Sequence, residues 1–333
     1  MPGLLTRMRF ETIPGRWVRK LRRRYNEQCV NIVTYHSIGT PPNVLHGGAS
    51  RHSTAEFERQ VDYLADNYSI ISLRALVESL EREEPPQRAI VLTFDDGYSD
   101  TLRRAMPILF RRRIPMTVFL STAAIGNRDL LWPHKLSWLL AAGQEPRIEQ
   151  SFQAAGIGGR RPGESMGQFA RRCFRNDIPD ILESNMRALG TSGASVADEM
   201  RPYAEPEEIA RADGEFVEFC NHTHTHPVLS ALTREQQHRE IATAREIILS
   251  LTGRTPLALA YPFGLKRHYN DDSKCIAQET WHRATLDMRR RMNEGVVDPY
   301  ELSRKPAPVG SQRLFEQMIE DWPAHERANG GGE

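Results

Sequence analysis

Apolar positions along this chain fall into two alternating rhythms. Short runs such as VNIVTY at 30 to 35, AIVLTF at 89 to 94, MTVFL at 116 to 120, EFVEFC at 215 to 220 and LALAY at 257 to 261 are β-rich and bounded by turn residues, so each predicts a strand. Between them the spacing turns helical. Ser53 and Glu56 form a capping box ahead of Phe57, Val61 and Leu64, which predicts a helix over 54 to 67. Ser72 caps a second one carrying Leu73, Leu76, Val77 and Leu80, stopped by the Glu-Pro-Pro break at 84 to 86. Thr233 and Gln236 open a long helix to about 252. Further helices are expected near 101 to 112, 271 to 279 and 311 to 321, with strands at 70 to 71, 281 to 286 and around Leu302 to Arg304. Strand, helix, strand, helix means parallel strands, with any site at their C-terminal ends.

Residues 122 to 213 break the rhythm with a helical start at Trp132, Pro133 and Trp138, then a polar stretch, GIGGRRPGES, and more helical segments. An insertion of this size over a barrel end is either a lid and specificity element or a loosely ordered excursion. The chain therefore divides into a basic segment at 1–29, a barrel domain at 30–310 that includes the insertion 122–213, and a C-terminal helix with a flexible tail at 311–333.

Composition narrows the class. With 333 residues, 39% of them hydrophobic and 26% charged, the chain has core enough for one large α/β domain or two modest ones. A net charge of +1 gives no global field for a nucleic-acid partner. Cysteines at 29, 173, 220 and 275 form no CxxC pair, which suits a reducing compartment or buried thiols. No apolar run of 18 residues and no secretory h-region occurs, so a soluble, cytoplasmic protein is expected. The first 30 residues interleave Arg7, Arg9, Arg16, Arg19, Lys20, Arg22, Arg23 and Arg24 with apolar residues. Such a segment suits peripheral contact with an anionic membrane or, equally, a solvated basic helix.

The chemistry begins where the run 89 to 94 delivers Asp95 and Asp96 onto Gly97. Asp-Asp-Gly after a strand reads either as a turn into the next helix or as a site in which two carboxylates need a cation or a proton to separate their roles. Histidines at 222, 224 and 226 follow another strand. His222 and His226 can converge from a turn or curved loop while His224 faces elsewhere. Two imidazoles and one carboxylate make an open site for a divalent ion, zinc by default. The same set describes the facial triad of non-haem iron oxygenases, although Asp95 would then have no task.

TFDDGYSD at 93 to 100, His-Thr-x-x-His at 222 to 226 and Tyr-Pro-Phe-Gly at 261 to 264, in that order on this alternation, resemble the polysaccharide deacetylases with a NodB homology domain. The resemblance covers roughly 30 to 125 and 214 to 305. It implies a distorted (β/α) barrel of about seven parallel strands and metal-dependent hydrolytic removal of an N-acetyl group from a sugar in a polysaccharide, glycolipid or precursor. Carried over by position, Asp96, His222 and His226 hold the metal, Asp95 is the general base and Phe263 offers the oxyanion donor; Tyr98, Pro262 and Arg304 are further candidates on the substrate or oxyanion side. Phe263 stands where the family has tyrosine, yet its backbone N–H survives.

Two departures stand out. Ala260 occupies the place of the arginine that orients the base, and Arg304 is the candidate replacement. No late Leu-x-His follows residue 282, but Thr34-Tyr35-His36 ends the first strand, as in a branch with permuted strand order. His36 is thus the candidate general acid. An O-acetyl esterase, a deformylase and a glycan-binding protein without activity are the competing readings.

Overall fold

The computed structural model describes residues 29–39, 45, 51–212, 214–289, 291 and 293–320. The basic N-terminal segment and the tail expected to be flexible lie outside the described residues. Seven strands carry the fold: β1 (Cys29–Tyr35), β2 (Ala89–Phe94), β3 (Met116–Leu120), β4 (Val217–Asn221), β5 (Ala258–Ala260), β6 (Ala284–Asp287) and β7 (Leu302–Pro306). Each pairs in parallel with the next, and β1 closes the ring. Ile32 to Thr34 register with Arg304 to Pro306 on one side, while Asn31 to Tyr35 register with Ile90 to Phe94 on the other. The strands are parallel, as the alternation implied, and they close into the seven-stranded barrel that the family resemblance implied.

Strand periodicity sorts the side chains. Val33, Tyr35, Leu92 and Phe94 pack with Phe57, Val61 and Leu64 of helix α1 (Thr54–Asn67) and with Phe315 of the C-terminal helix Gln312–Glu320. The alternate residues Ile32, Val91, Phe119, Ala258, Ala260 and Leu286 join Leu73, Leu76 and Leu80 of α2 (Leu73–Glu81) in a separate buried cluster. Buried on both sides, the strands read as the continuous apolar runs of a covered parallel sheet.

Local chemistry moved several boundaries. After β2, residues Thr101–Ala105 form a wide five-residue turn, and only then α3 (Met106–Arg111) begins. Pro107 has no N–H for the carbonyl four residues back, so a regular helix cannot run through from 101. β6 starts at Ala284 because Trp281, at φ 65° and largely exposed, belongs to the turn that ends the preceding helix. β4 likewise starts at Val217, and the short strand at 70 to 71 is Ser69–Ile70. The box at Ser53 is half formed. Its hydroxyl accepts from the Glu56 amide at 3.2 Å, but the Glu56 carboxylate accepts from the Gly310 amide instead, tying α1 to the segment after β7.

The insertion is an ordered layer of six helices: α4 (Trp132–Ala141), α5 (Glu145–Ala154), α6 (Met166–Arg172), α7 (Ile178–Arg187), α8 (Gly193–Met200) and α9 (Pro206–Arg211). Leu136, Ile148, Phe152, Phe169, Leu182 and Met186 bury one another and continue into Tyr98, Leu259 and Tyr261 of the barrel. Inside this layer the buried Lys135 Nζ bonds Asp129 at 2.7 Å and Glu183 at 2.8 Å. The loose-excursion reading is thereby replaced by a packed roof. Among the described residues no helix is long and apolar enough to cross a membrane.

Candidate active site

A cavity of about 260 Å³ opens at the C-terminal ends of the strands. His36, Asp95, Asp96, Tyr98, His222, His226, Phe263 and Arg304 line it, so the barrel brings together residues from β1, β2, β4, β5 and β7. A second cavity of about 290 Å³ lies at the opposite end, beside Arg74, Met116, Glu218 and Arg254, where Arg74 and Glu218 pair with each other. Of the two, the first gathers ligand-type groups at one point among the described residues.

Asp95 is the fixed element. Arg304 donates from its two Nη atoms to the two carboxylate oxygens at 2.6 and 2.9 Å, and both side chains are buried. The guanidinium lies 5.2 Å over the Phe119 ring and also reaches Thr34 Oγ1 at 3.3 Å. Burial alone would raise the Asp95 pKa, but the Arg304 charge, joined by His222, His36 and the two hydrogen bonds, outweighs it and holds the carboxyl well below the usual carboxylate range. Asp95 is therefore a carboxylate at any working pH.

Asp96 is treated in the opposite way. Its φ of 68° is left-handed. Burial raises its pKa, with Asp95 adding to the rise and His36, His222 and a hydrogen bond from Tyr98 opposing it. Asp96 Oδ1 is buried with no hydrogen-bond partner. It lies 3.3 Å from His226 Nε2 and 3.7 Å from His222 Nε2.

The histidines come from the loop after β4, a curved loop and not a helical turn. The Glu240 carboxylate accepts from the amides of His224 and Thr225 at 3.0 and 2.8 Å, and Thr223 Oγ1 accepts from the His226 amide at 3.2 Å. His222 Nδ1 donates to the Ala260 carbonyl at 2.8 Å, so its Nε2 carries the lone pair that faces the aspartates. Burial lowers both His222 and His226 to about 4, leaving both neutral at pH 7. His224 turns outward from the cluster and pairs through Nδ1 with Thr122 at 2.9 Å.

These donors fit a divalent cation. Ligand atoms of Asp96, His222 and His226 lie within 4.8 Å of one another, and ligands about 2.0–2.1 Å from one ion stand roughly 3 Å apart. An orphaned buried carboxylate oxygen facing two neutral imidazole lone pairs is what such an ion resolves.

Pro262 and Phe263 follow β5 in a tight turn. The Gly264 amide donates to the Pro262 carbonyl at 2.7 Å, which forces Phe263 to φ 61°. Its ring meets His226 edge to face at 4.7 Å. His36 sits directly after β1, with its carbonyl accepting from Thr101 Oγ1 at 3.1 Å and its imidazole acting electrostatically on Asp95, Asp96 and His226.

Sequence reasoning missed the roof's contribution. Leu131, Pro133, His134, Ser137 and Arg171 line the same cavity. A buried relay runs from the roof to the cluster. The Leu131 amide donates to Tyr203 Oη at 3.0 Å, Tyr203 Oη pairs with His134 Nδ1, His134 Nε2 pairs with Tyr98 Oη at 2.6 Å, and Tyr98 hydrogen-bonds to Asp96. Trp132 Nε1 donates to the His226 carbonyl at 2.8 Å. Nothing in the pattern of α4 separates His134 from an ordinary core position; the only hint was that the insertion begins directly after a barrel strand.

Three comparisons bear on this site. The profile of the polysaccharide deacetylase family matches residues 82–161 and 163–284. It runs through most of the roof, which the motif resemblance left uncovered, and stops short of β1 and β7. YxkH of Bacillus subtilis (strain 168), a polysaccharide deacetylase by name, is 20% identical over 254 residues, 76% of this chain; the chain spans 62% of that relative's length. Among solved structures, the Streptococcus pyogenes deacetylase PplD, in complex with acetate, superposes with a TM-score of 0.58 at 16% identity, covering 88% of this chain and 98% of its own. IcaB from Ammonifex degensii gives 0.57 at 15% identity, covering 89% and 97%. At such identities the likeness is one of fold.

Proposed function

This chain belongs to the polysaccharide deacetylase family, and from that premise we propose that it removes an N-acetyl group hydrolytically from a sugar of a polysaccharide, glycolipid or their precursors, with a divalent cation, zinc in the first instance. The observation that carries the reading is the convergence of Asp96, His222 and His226 beside an Asp95 clamped by Arg304, all in one cavity at the strand ends.

Asp96, His222 and His226 would hold the cation, which supplies Lewis-acid polarisation of an acetamide carbonyl and a lowered pKa for a bound water. Asp95, kept ionised by Arg304, accepts a proton from the attacking water. The Phe263 amide, turned by its positive φ, offers a donor to the oxygen that gains charge. His36 delivers a proton to the nitrogen as the amide C–N bond breaks, so that water is consumed and acetate and an amine leave. Arg304 does the orienting that the motif arginine does elsewhere in the family, because Ala260 has no side chain to do it. Its fork grips both oxygens of Asp95 and leaves one defined face of the carboxylate toward the cavity.

The test is acetate release from N-acetylglucosamine oligosaccharides and from O-acetylated sugars, before and after chelation and on re-adding zinc. Expected is release from the N-acetyl substrates, lost with chelator and restored by zinc, and a fall of about 10²–10⁴-fold in Asp95→Asn with metal content retained. Folded wild-type protein that releases nothing from any N-acetylated sugar sinks the proposal. Release confined to the O-acetyl sugars would turn it into an esterase.

A further inference from the structure

The charges lining the cavity do not balance. Asp95 and Asp96 are its acidic groups; Asp95 is taken by Arg304, and Asp96 faces His222 and His226. That leaves Arg171, at the end of α6 in the roof. Its guanidinium sits 5.4 Å over the Phe263 ring, so it stands directly above the turn that carries the proposed oxyanion donor. No carboxylate reaches it among the described residues. The charge that acts on it is another cation, Arg267, and Arg171 in turn opposes protonation of both His226 and His268.

The next residue shows what an ordinary arginine does here. Arg172 donates to Glu164 from Nε and Nη2, both at 2.7 Å. Two neighbours on one helix thus part company, one paired at the surface and one partly buried beside like charges with nothing to neutralise it. A desolvated cation without a partner is unfavourable unless something arrives to pair it, and a planar guanidinium on an aromatic face matches carboxylate or phosphate oxygens in a fork.

We propose that Arg171 forms a subsite for an anionic oxygen group, phosphate or carboxylate, carried by the acetylated sugar, so that the preferred substrate is an anionic glycan or sugar phosphate and not a neutral one. This rests on reading the cavity as the deacetylation site. Arg267, exposed on the loop after β5, adds to the same positive edge. The roof thereby selects the substrate by charge, while the strand ends hold the groups that act on the amide.

Binding and turnover test this separately. Calorimetric titration of the folded wild-type protein with N-acetylglucosamine, N-acetylglucosamine 1-phosphate and N-acetylmuramic acid compares neutral, phosphate and carboxylate forms of one acetamido sugar. At least one anionic form should bind about ten- to a hundredfold more tightly than the neutral sugar, and which one does identifies the group. Arg171→Gln should remove most of that preference, Arg171→Lys should keep part of it, and Arg172→Gln should leave it intact, with thermal melts confirming folding. Equal affinity for all three sugars, a preference that survives Arg171→Gln, or competition by free acetate as strong as by the sugar anions would each overturn the subsite. An intact preference without acetate release from any sugar would uphold the subsite and overturn the deacetylase reading instead.

Discussion

The floor of the cavity and its roof are built by different rules. On the floor, charges from different strands meet at hydrogen-bond distance: Arg304 of β7 grips Asp95 after β2, and His222 after β4 is oriented by the carbonyl of Ala260 on β5. Backbone register fixes these positions, since Ile32 pairs with both Val91 and Arg304. The roof reaches the cluster through Tyr203 and His134, bonded in series to Tyr98, and among the described residues it leaves Arg171 without a countercharge. The floor thus sets geometry that no substrate need supply, while the roof adjusts that geometry and waits for a partner.

If the contrast holds, disturbing the floor should cost the most. Arg304→Met leaves Asp95 as a buried carboxylate without its guanidinium. We expect a loss of about 3–5 kcal/mol in chemical denaturation and a fall in acetate release of at least two orders of magnitude. Arg304→Lys should recover part of the stability and little of the turnover, because an ammonium cannot fork both oxygens. A stable, active Arg304→Met protein would erase the distinction between the two regions.

The roof relay should matter less, and in a different observable. His134→Ala breaks the chain that orients Tyr98 on Asp96, so zinc affinity measured by competition with a chromophoric chelator should weaken about 10–100-fold. Tyr203→Phe, one link further from the cluster, should show a smaller effect in the same direction. Unchanged zinc affinity in a folded His134→Ala protein would make the relay mere packing.

The smallest effect is expected inside the roof itself. Burial would raise the Glu183 pKa, but its bonds to Lys135 and the Gly193 amide outweigh burial and lower it below the ordinary 4.5. A carboxyl with a depressed folded pKa contributes stability that is complete above its unfolded value and is lost as pH falls through the folded one. Glu183→Gln should therefore lower stability at pH 7 by about 1.5 kcal/mol, with the gap to wild type narrowing towards pH 3. A gap that widens on acidification would reverse the sign assigned to this pair.

The same division explains what could be read from the chain. Asp95, Asp96, His222 and His226 stand where apolar runs stop, and a strand end facing a cavity is a feature one sequence can display. Arg304 was legible for the same reason, since a late strand places it beside β1 once the ring closes. His134 and Arg171 reach the cavity from helices of the roof, and Tyr203, bridged to Tyr98 between two helices, touches it through His134; His134 and Tyr203 are 69 residues apart, and nothing in the spacing of their segments joins them. The boundary shifts are local matters. Pro107 withholds one amide, Trp281 takes a left-handed φ, and Glu56 finds a better donor in Gly310 than its own cap.

One consequence of the ring concerns time. Asp95 and Arg304 are 209 residues apart, and the strand that carries Arg304 is the last of the seven to be made. At about 5–20 residues per second a ribosome would need roughly 10–40 s to bring the guanidinium after the carboxylate. A nascent chain in that interval has an open sheet with one unpaired edge on β1 and no Arg304 to grip Asp95. Closing the sheet and neutralising the aspartate are a single step, so the unfinished protein cannot bury Asp95 as a charge before β7 arrives.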